Sequence, residues 1–291
     1  MAKLPETTSP TLKIIDDRTQ AASKDWRRAH LGASSIGDPC ERRLWYDFRW
    51  FTAPNFSGRI LRLFRRGQNE EATIVEDLRL AGVTVSEGPS EGNQWRFNNI
   101  GGHYGGSMDA AILGLHEAPK TWHVGEFKTH NRKSFDSLLK NGVQKAKERH
   151  YAQMQAYMHN FGMKRAVYIA VCKDTDRYYL ERINYDKYFA GELEDKAHRV
   201  IFADSPPPKL SERPDFYLCK WCDHYDICHQ DAPVREKNCR TCVNSSADED
   251  GSWKCASASG IFERCSWPVL TLDQQKTLAD TSCDSYSVRD A

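Results

Sequence analysis

The sequence has no long apolar run and no secretion pattern at its start. No stretch approaches the about 18 consecutive apolar residues that a membrane-spanning helix needs. The amino terminus also has no basic segment followed by an apolar one, which is the pattern of a signal peptide. Both absences predict a soluble, cytoplasmic protein without a membrane partner.

A strong overall charge is lacking as well. Charged residues make up 28% of the 291 residues, and the net charge is +1. The charge is unevenly spread, because residues 231–291 hold seven Lys and Arg against ten Asp and Glu, a net −3 that leaves +4 for residues 1–230. The length allows one large domain or a domain with an appendage, and we expect a peripheral arm over residues 1–33, a main domain over 34–230 and a tail over 231–291.

Cysteine, in contrast, is plentiful. The chain has ten cysteines, and only Cys40 and Cys172 precede residue 200. In a reducing cytosol a clustered set of cysteines binds metal more often than it forms disulfides. The cysteines therefore predict metal sites in the second half of the chain.

A predicted hairpin lies near the middle of the sequence. The apolar residues 110–115 predict a buried strand that starts directly after Asp109, and residues 122–129 predict a second strand after a polar turn. Side chains of a strand alternate between its two faces, so Glu126 and Lys128 point the same way while Phe127 points into the core. The hairpin can bring Asp109 beside this pair.

Two carboxylates and a lysine suit hydrolysis of phosphodiesters. Asp109 and Glu126 offer the hard oxygen ligands that Mg²⁺ or Mn²⁺ prefers. The Lys128 ammonium can orient a water or stabilise negative charge that develops on a phosphoryl group. The same residues also fit a surface hairpin with a Glu and Lys ion pair.

A third carboxylate is predicted on the helix that precedes the hairpin. This helix ends near Gly82. If Ile74, Val75 and Leu78 form its apolar stripe, Glu71 lies on the same inward face. A buried glutamate needs a partner, which would be either the metal site or a buried arginine.

Basic residues before and after the hairpin predict contacts to phosphates. Some are interleaved with aromatic residues around position 45, a pattern that also fits an amphipathic helix whose aromatic residues lie in the core. The predicted phosphate contacts are Arg42, Arg43, Arg62, Arg65, Arg66, Arg132 and Lys133.

Further elements follow the hairpin. A helix ending near Gly162 carries Gln153 and Tyr157, four residues apart, which can both face a strand edge or a DNA backbone. Residues 165–172 and 176–183 predict a second hairpin. Asp186 predicts the cap of a helix that reaches about Ala203, and the prolines that follow predict a linker.

The cysteines after residue 200 form two groups. Cys219, Cys222 and Cys228 follow a C-x2-C-x5-C pattern that leaves a four-ligand site one ligand short, and Cys40 is the candidate for the fourth. The alternative is zinc, with His224 or His229 as a ligand.

The second cysteine group lies in the tail. Its C-x2-C knuckle, Cys239 and Cys242, and the later Cys255 predict a zinc site. Cys283 is the preferred fourth ligand, with Cys265 as the other choice. Free thiols are the alternative.

In combination these residues resemble the motifs of the RecB-like branch of the PD-(D/E)XK nucleases. The resemblance covers roughly residues 34–230. The matching residues are, in order, Gly67 with Glu71, then Gly106-Ser107-Met108-Asp109, then Glu126-Phe127-Lys128, then Gln153-x-x-x-Tyr157. An early cysteine with a late C-x2-C-x5-C resembles the iron–sulfur subgroup, which includes the AddB nuclease domain and CRISPR-associated RecB-like exonucleases.

The resemblance implies a restriction-endonuclease-like α/β core, with a central mixed sheet flanked by helices, and an exonuclease that acts on DNA ends. It implies Mg²⁺ or Mn²⁺ at Glu71, Asp109 and Glu126, and Lys128 as the catalytic lysine. Gln153 and Tyr157 would position the active site and DNA. The four cysteines from Cys40 to Cys228 would hold a 4Fe-4S cluster.

Two positions depart from the family pattern. Met108 stands where the motif has proline, and Glu71 stands where relatives often have histidine, which can alter metal number or preference. The tail resembles a cysteine-rich module of bacteriophage proteins, which implies a phage-encoded enzyme in a bacterial cytoplasm. A single-strand annealing or single-stranded-DNA-binding protein is the expected partner, and a ring-forming oligomer stays open. A restriction-type or structure-selective endonuclease and a non-catalytic DNA-binding metalloprotein are the alternatives.

Overall fold

A central five-stranded mixed sheet organises the protein. The computed structural model describes residues 9–23, 25–234, 236–256, 270–277 and 286–289. Its strands are β2 Thr84–Ser86, β5 Ala110–Leu113, β6 His123–His130, β7 Arg165–Cys172 and β8 Tyr178–Asn184. They are ordered β2-β5-β6-β7-β8 across the sheet. Only the β6 and β7 pair is parallel, and the other neighbours are antiparallel.

The crossover between the parallel strands consists of two helices, α4 Arg132–Ala146 and α5 Glu148–Asn160. Parallel neighbours need such a connection, because a tight turn can join only antiparallel strands. Gly142 lies inside α4 with φ of 71°, a left-handed conformation that glycine adopts without strain, and Lys147 separates the two helices. The crossover places α5 over one face of the sheet.

Helices cover both faces of the sheet. One face packs against α2 Glu41–Phe48, α4, α5 and α6 Lys187–Phe202. The other face packs against α3 Gly58–Leu80 through Ile74 and Val75, which contact the group that contains Phe127. A central mixed sheet flanked by helices was the predicted architecture, and this level of the prediction is confirmed.

A smaller three-stranded sheet leads into the centre of the molecule. It contains β1 Leu31–Gly32, β4 Tyr104–Ser107 and β3 Arg96–Asn99, in that order. Strand β4 ends one residue before Met108, which is buried, and two before Asp109. The short sheet therefore delivers Asp109 to the edge of the central sheet.

The predicted elements agree well with those observed. Both hairpins are present, and the Asp186 side chain accepts hydrogen bonds from the N–H groups of Tyr188 and Phe189 at the start of α6. The arm contains a helix, α1 Pro10–Ala21. No helix in the described ranges is long and apolar enough to cross a membrane.

The start of the tail contacts the main domain through a buried arginine. Arg240 donates hydrogen bonds to the backbone carbonyls of Phe48 and Ala29, and its guanidinium lies 3.9 Å from the ring centre of Trp50. Nearby are a two-stranded sheet, β9 Ser245–Ala247 and β10 Trp253–Cys255, and two short helices, α7 Tyr225–His229 and α8 Leu272–Thr277. The described part of the tail is thus packed on the main domain.

Candidate active site

Asp109 lies against strand β6, as the sequence predicts. Its Oδ2 accepts a hydrogen bond of 2.8 Å from the backbone N–H of Phe127, and the Lys128 Nζ lies 3.8 Å from the same oxygen. Because Phe127 points into the opposite core, Glu126 and Lys128 share the other face of the strand. The predicted grouping of Asp109, Glu126 and Lys128 is therefore present.

Glu126 is completely buried, with 0% of its surface exposed. The Lys128 ammonium lies against Oε1 as an ion pair, yet neither carboxylate oxygen accepts a hydrogen bond of normal geometry from a described residue. A buried carboxylate without hydrogen bonds is costly unless a cation binds it. Its second oxygen is thus available as a metal ligand.

Three carboxylates surround one ammonium in this site. Burial outweighs the attraction of Lys128 and raises the pKa of Glu126 to about 8, and the charges of Asp109 and Glu71 add to the effect. Burial, and after it the charge of Asp109, raises the pKa of Glu71 to about 7. For Lys128, burial acts to lower the pKa, but Glu126 and Asp109 outweigh it and raise the pKa. The site lacks positive charge, which a divalent cation would supply.

Glu71 reaches the site from α3. Together with Asp109 it lines a cleft of about 650 Å³, whose far wall is the loop of residues 86–94. The predicted inward stripe is confirmed, because Ile74 and Val75 are buried and Leu78 is half-buried. The predicted alternative partner, a buried arginine, is not among the groups that influence the Glu71 carboxylate. Glu71 therefore belongs with the acidic site.

Gln153 and Tyr157 lie behind the site. Tyr157 donates a hydrogen bond of 2.6 Å to the backbone carbonyl of Ser107, and Gln153 donates to the Tyr157 hydroxyl. Both side chains are buried. The pair fixes the end of strand β4 and with it the backbone that carries Asp109. Gln153 and Tyr157 therefore support the position of Asp109.

The four predicted cluster cysteines, Cys40, Cys219, Cys222 and Cys228, line one cavity of about 90 Å³. All four are thiols rather than disulfides. Cys40 caps α2, and its sulfur accepts a hydrogen bond from the Arg43 N–H. Burial raises the pKa of Cys222 to about 11 and also raises that of Cys228. The structure therefore brings together four cysteines from opposite ends of the main domain.

The two histidines beside this pocket differ in availability. His224 is buried, and its two ring nitrogens contact the Thr52 hydroxyl at 3.0 Å and the Asp47 carboxylate at 2.9 Å. His229 lines the pocket, and its buried Nε2 has no hydrogen-bonding partner among the described residues. If a histidine were a ligand here, His229 would be the one available.

As the side chains stand, no group of three or more His, Cys, Asp or Glu in the described ranges has the spacing of an assembled metal site. This applies to the acidic site and the cysteine pocket alike. The donors nonetheless fit a metal at both places, since one offers a buried carboxylate oxygen without a partner and the other offers four thiols around a single cavity.

The predicted zinc set of the tail is only partly described. Cys239 and Cys242 flank a short turn, and Cys255 ends strand β10, which pairs with β9. Cys265 and Cys283 lie outside the described residues. The zinc site of the tail stays a prediction.

The residues predicted to contact phosphates fall into three groups. Arg42 and Arg43 lie at the cysteine pocket, where Arg43 pairs with Asp38 at 3.4 Å. Other arginines are engaged elsewhere: Arg62 pairs with Asp16, Arg132 pairs with Asp136, and Arg66 donates to the Lys173 carbonyl. The exposed side chains of Arg65 and Lys133 make no ion pair or hydrogen bond to any described residue. Of the seven predicted residues, these two are therefore the most available to bind an anionic ligand.

Sequence reasoning missed a group of polar side chains beside Lys128. His130, Tyr168 and His150 are joined by hydrogen bonds on the face of the sheet that carries Glu126. His130 follows Lys128 by two residues, and that spacing was readable as a shared strand face. Tyr168 gave no signal, because its position depends on the register of the parallel strands.

No protein-family model and no curated protein matches the chain. Among solved structures, SSO0001 aligns with a TM-score of 0.44 and 14% identity, covering 78% of this chain and 98% of its own. The alkaline exonuclease LHK-Exo of Laribacter hongkongensis aligns with a TM-score of 0.38 and 16% identity, covering 63% of this chain and 90% of its own. A phage-related exonuclease of Haemophilus somnus gives a TM-score of 0.31 and 14% identity, covering 45% and 68% of the two chains. Likenesses this slight carry no argument about function.

Proposed function

We propose that this protein is a deoxyribonuclease that depends on a divalent metal ion and hydrolyses phosphodiester bonds. The observation that carries the proposal is the buried Glu126, whose carboxylate lies beside Lys128 and has an oxygen without a partner, next to Asp109. Buried charge of this kind is expensive, and a stable fold would not need it for packing. The chemistry of metal-assisted phosphodiester hydrolysis does need it.

Asp109, Glu126 and Glu71 would hold Mg²⁺ or Mn²⁺. When bound, the ion supplies Lewis-acid activation of water and of the phosphate. Asp109 lines the cleft and is held in place by the Phe127 N–H, which bonds Oδ2 and leaves Oδ1 for a metal. The Lys128 ammonium remains protonated between two carboxylates and can orient a water or stabilise charge on the phosphate.

The cysteine pocket would hold a 4Fe-4S cluster. A single zinc ion with bonds of about 2.3 Å would draw four sulfurs to within about 4 Å of one another. The support for a cluster is that four thiols line one cavity of about 90 Å³, which exceeds the roughly 10–15 Å³ that a cavity needs to hold one water. The cluster would join Cys40 to the segment that ends at Cys228, and zinc is the alternative occupant.

The proposal extends to the finer predictions from the motifs. The fold would be restriction-endonuclease-like, the reaction would be exonucleolytic, and the enzyme would be phage-encoded and act in the cytoplasm of a bacterial host. Support for the fold and the reaction comes from the order of the motifs from Gly67 to Tyr157 along the chain, and support for a phage origin comes from the resemblance of the cysteine-rich tail to a module of bacteriophage proteins.

The test is digestion of end-labelled linear DNA with Mg²⁺, by the wild type and by Lys128→Ala. We expect the wild type to release nucleotides and the variant to be slower by about 10²–10³, the scale for loss of one group that stabilises transition-state charge. Lys187→Ala is the matched control, since Lys187 is an exposed lysine at the start of α6. It should retain full activity.

Three results would count against the proposal. Equal rates for wild type and Lys128→Ala would show that the site assignment is wrong. Binding of DNA without cleavage in Mg²⁺ or Mn²⁺ would favour the non-catalytic alternative. Cleavage of covalently closed circles as fast as linear DNA would retain the nuclease but exclude exonuclease action.

A further inference from the structure

A continuous chain of hydrogen bonds runs beside Lys128 and Glu126. Its distances are 2.5 Å from Lys147 Nζ to Ser134 Oγ, 3.1 Å from Ser134 Oγ to His130 Nδ1, and 2.8 Å from His130 Nε2 to the Tyr168 hydroxyl. The last link is 2.8 Å from that hydroxyl to His150 Nδ1. The two imidazoles and the phenol lie nearly parallel, at interplanar angles of 25° to 28°. The chain thus joins α4, β6, β7 and α5.

The donors and acceptors of this chain can be assigned from its lysine end. The Lys147 ammonium can only donate, so it donates to Ser134 Oγ. The Ser134 hydroxyl has one hydrogen to donate, and we assign it to His130 Nδ1, the acceptor among the described residues that Oγ reaches. His130 is therefore protonated on Nε2 and donates to Tyr168, whose single hydrogen is left for His150 Nδ1.

This order fixes the tautomer of His150. Because Nδ1 accepts from Tyr168, the proton of the neutral ring is on Nε2. Neutral rings are consistent with their surroundings, since burial, and after it nearby lysines, lower the pKa of His130 to about 4 and that of His150 to about 3. Fixed by a chain of neighbours, His150 presents an N–H rather than a lone pair at its outer end.

The outer end of His150 is open to a ligand. The Nε2 atom of His150 makes no hydrogen bond to any described residue. It is also not one of the fully buried polar atoms without a partner, so part of its surface is accessible. Tyr168, which is hydrogen-bonded to the His150 ring, lies opposite Glu126 where strands β6 and β7 pair. Lys128, Lys147 and Arg149 are the charged groups around the ring. An N–H donor near these cations suits an anionic oxygen.

We propose that His150 binds a phosphate oxygen of the DNA backbone through its Nε2–H, and that Lys147, Ser134, His130 and Tyr168 are positioning residues that hold it as a donor. This inference rests on the proposed function for the identity of the anion. The hydrogen bond would orient the DNA strand relative to Asp109 and Glu126. It adds a substrate contact on α5, one turn before the supporting Gln153.

The tautomer can be tested without DNA. Nitrogen chemical shifts of the histidine side chains in the wild-type protein should identify His150 as protonated on Nε2 only. In Tyr168→Phe the acceptor role of Nδ1 is lost, and a mixture of tautomers is expected. A wild-type His150 protonated on Nδ1 would overturn the proposal.

The contact to DNA can be tested with two matched substitutions. Gln at position 150 can place an amide N–H close to the position of Nε2, whereas Asn reaches only that of Nδ1. With Ca²⁺ in place of Mg²⁺ to slow cleavage, we expect His150→Asn to weaken DNA binding about 10-fold, the scale for a hydrogen bond to a charged group, and His150→Gln to weaken it much less. Unchanged melting temperatures should accompany both results.

The Tyr168→Phe background tests the coupling. The effect of His150→Asn on binding should shrink there, because the donor is no longer held in place. An undiminished effect, or equal DNA binding by wild type and His150→Asn, would overturn the inference. Failure of the proposed function is distinct, since it would appear as a wild type that binds DNA but never cleaves it while His150→Asn still weakens binding.

Discussion

The acidic site and the cysteine pocket are assembled in opposite ways. Glu126 and Lys128 lie on one strand of the central sheet, and the backbone of that strand holds Asp109 directly. The pocket instead joins Cys40, at the start of a helix, to turns and a five-residue helix near Cys219. Hydrogen bonds of the sheet preorganise the first site, whereas no strand ladder holds the second. If both sites bind metal as proposed, the comparison implies that metal at the acidic site would serve the reaction and that metal in the pocket would stabilise the fold.

The largest expected effect tests the acidic half of this comparison. Glu126→Gln removes a metal ligand while keeping the shape of the side chain. We expect cleavage of DNA to fall by about 10³ or more, because loss of even one preorganised group costs about 10²–10³. The measurement is the initial rate in Mg²⁺ for wild type and variant. A variant that keeps more than a tenth of the wild-type rate would show that Glu126 is not part of the active site.

The same variant should not lose stability. In the folded protein the pKa of Glu126 is raised from 4.5 to about 8, so ionisation of this group costs folding free energy as the pH rises through that interval. In EDTA, the stability of Glu126→Gln relative to the wild type should therefore increase from about pH 5 to about pH 8. Urea unfolding at both pH values measures it, and a relative loss with rising pH would contradict the charge assignment.

The cysteine pocket should show the reverse pattern. Cys222→Ser should lower both the metal content and the melting temperature. A cross-link across more than 100 residues contributes about 4–5 kcal/mol to the free energy of unfolding. Each kcal/mol shifts the melting temperature of a domain of this size by about 2–4 °C. The expected loss is about 8–20 °C. Thermal unfolding, with iron, sulfide and zinc analysis after anaerobic purification, provides the measurement.

Cys172→Ala is the matched control for the pocket. Cys172 is fully buried on β7 and lies outside the pocket, so its loss should leave the metal content unchanged. A colourless wild type with zinc would place zinc in the pocket instead of iron and sulfide. A Cys222→Ser protein that keeps its melting temperature would contradict the stabilising role of the pocket.

Proton release offers a smaller effect that sharpens the comparison. Burial raises the pKa of Glu126 to about 8 and that of Glu71 to about 7, so at pH 7 Glu126 is mostly protonated and Glu71 is about half protonated, and a metal must displace these protons. Calorimetry of Mn²⁺ binding in buffers of different ionisation enthalpy should detect release of about one proton near pH 7 and little near pH 9. Release that is independent of pH would argue that neither carboxylate is a ligand.

The acidic site was largely readable from the sequence because it depends on local geometry. Alternation along β6 placed Glu126 and Lys128 together and Phe127 in the opposite core, and a hairpin needs few residues to bring Asp109 alongside. The shared cavity of Cys40 with the later cysteines was predicted from ligand counting alone. Both predictions used rules that act within one element or one ligand set.

The rest could not be predicted, because it depends on packing between distant elements. The link from His130 to His150 requires Tyr168, whose place opposite Glu126 follows from the register of two parallel strands joined by a crossover. Arg240 is a second case. Arginine is mostly exposed in proteins, and nothing in its sequence context shows that aromatic rings and backbone carbonyls will bury it.

The smallest effect concerns DNA contacts outside both sites. Lys133→Ala should lower the slope of log K against log salt by about 0.7–0.9, the contribution of one phosphate contact, because its ammonium has no partner in the described ranges. Arg132→Ala on the same turn of α4 is the matched control. Its guanidinium is paired with Asp136, so binding DNA would first cost that pair, and its loss should change the slope less. A Lys133→Ala slope equal to that of the wild type would mean that Lys133 does not contact a phosphate.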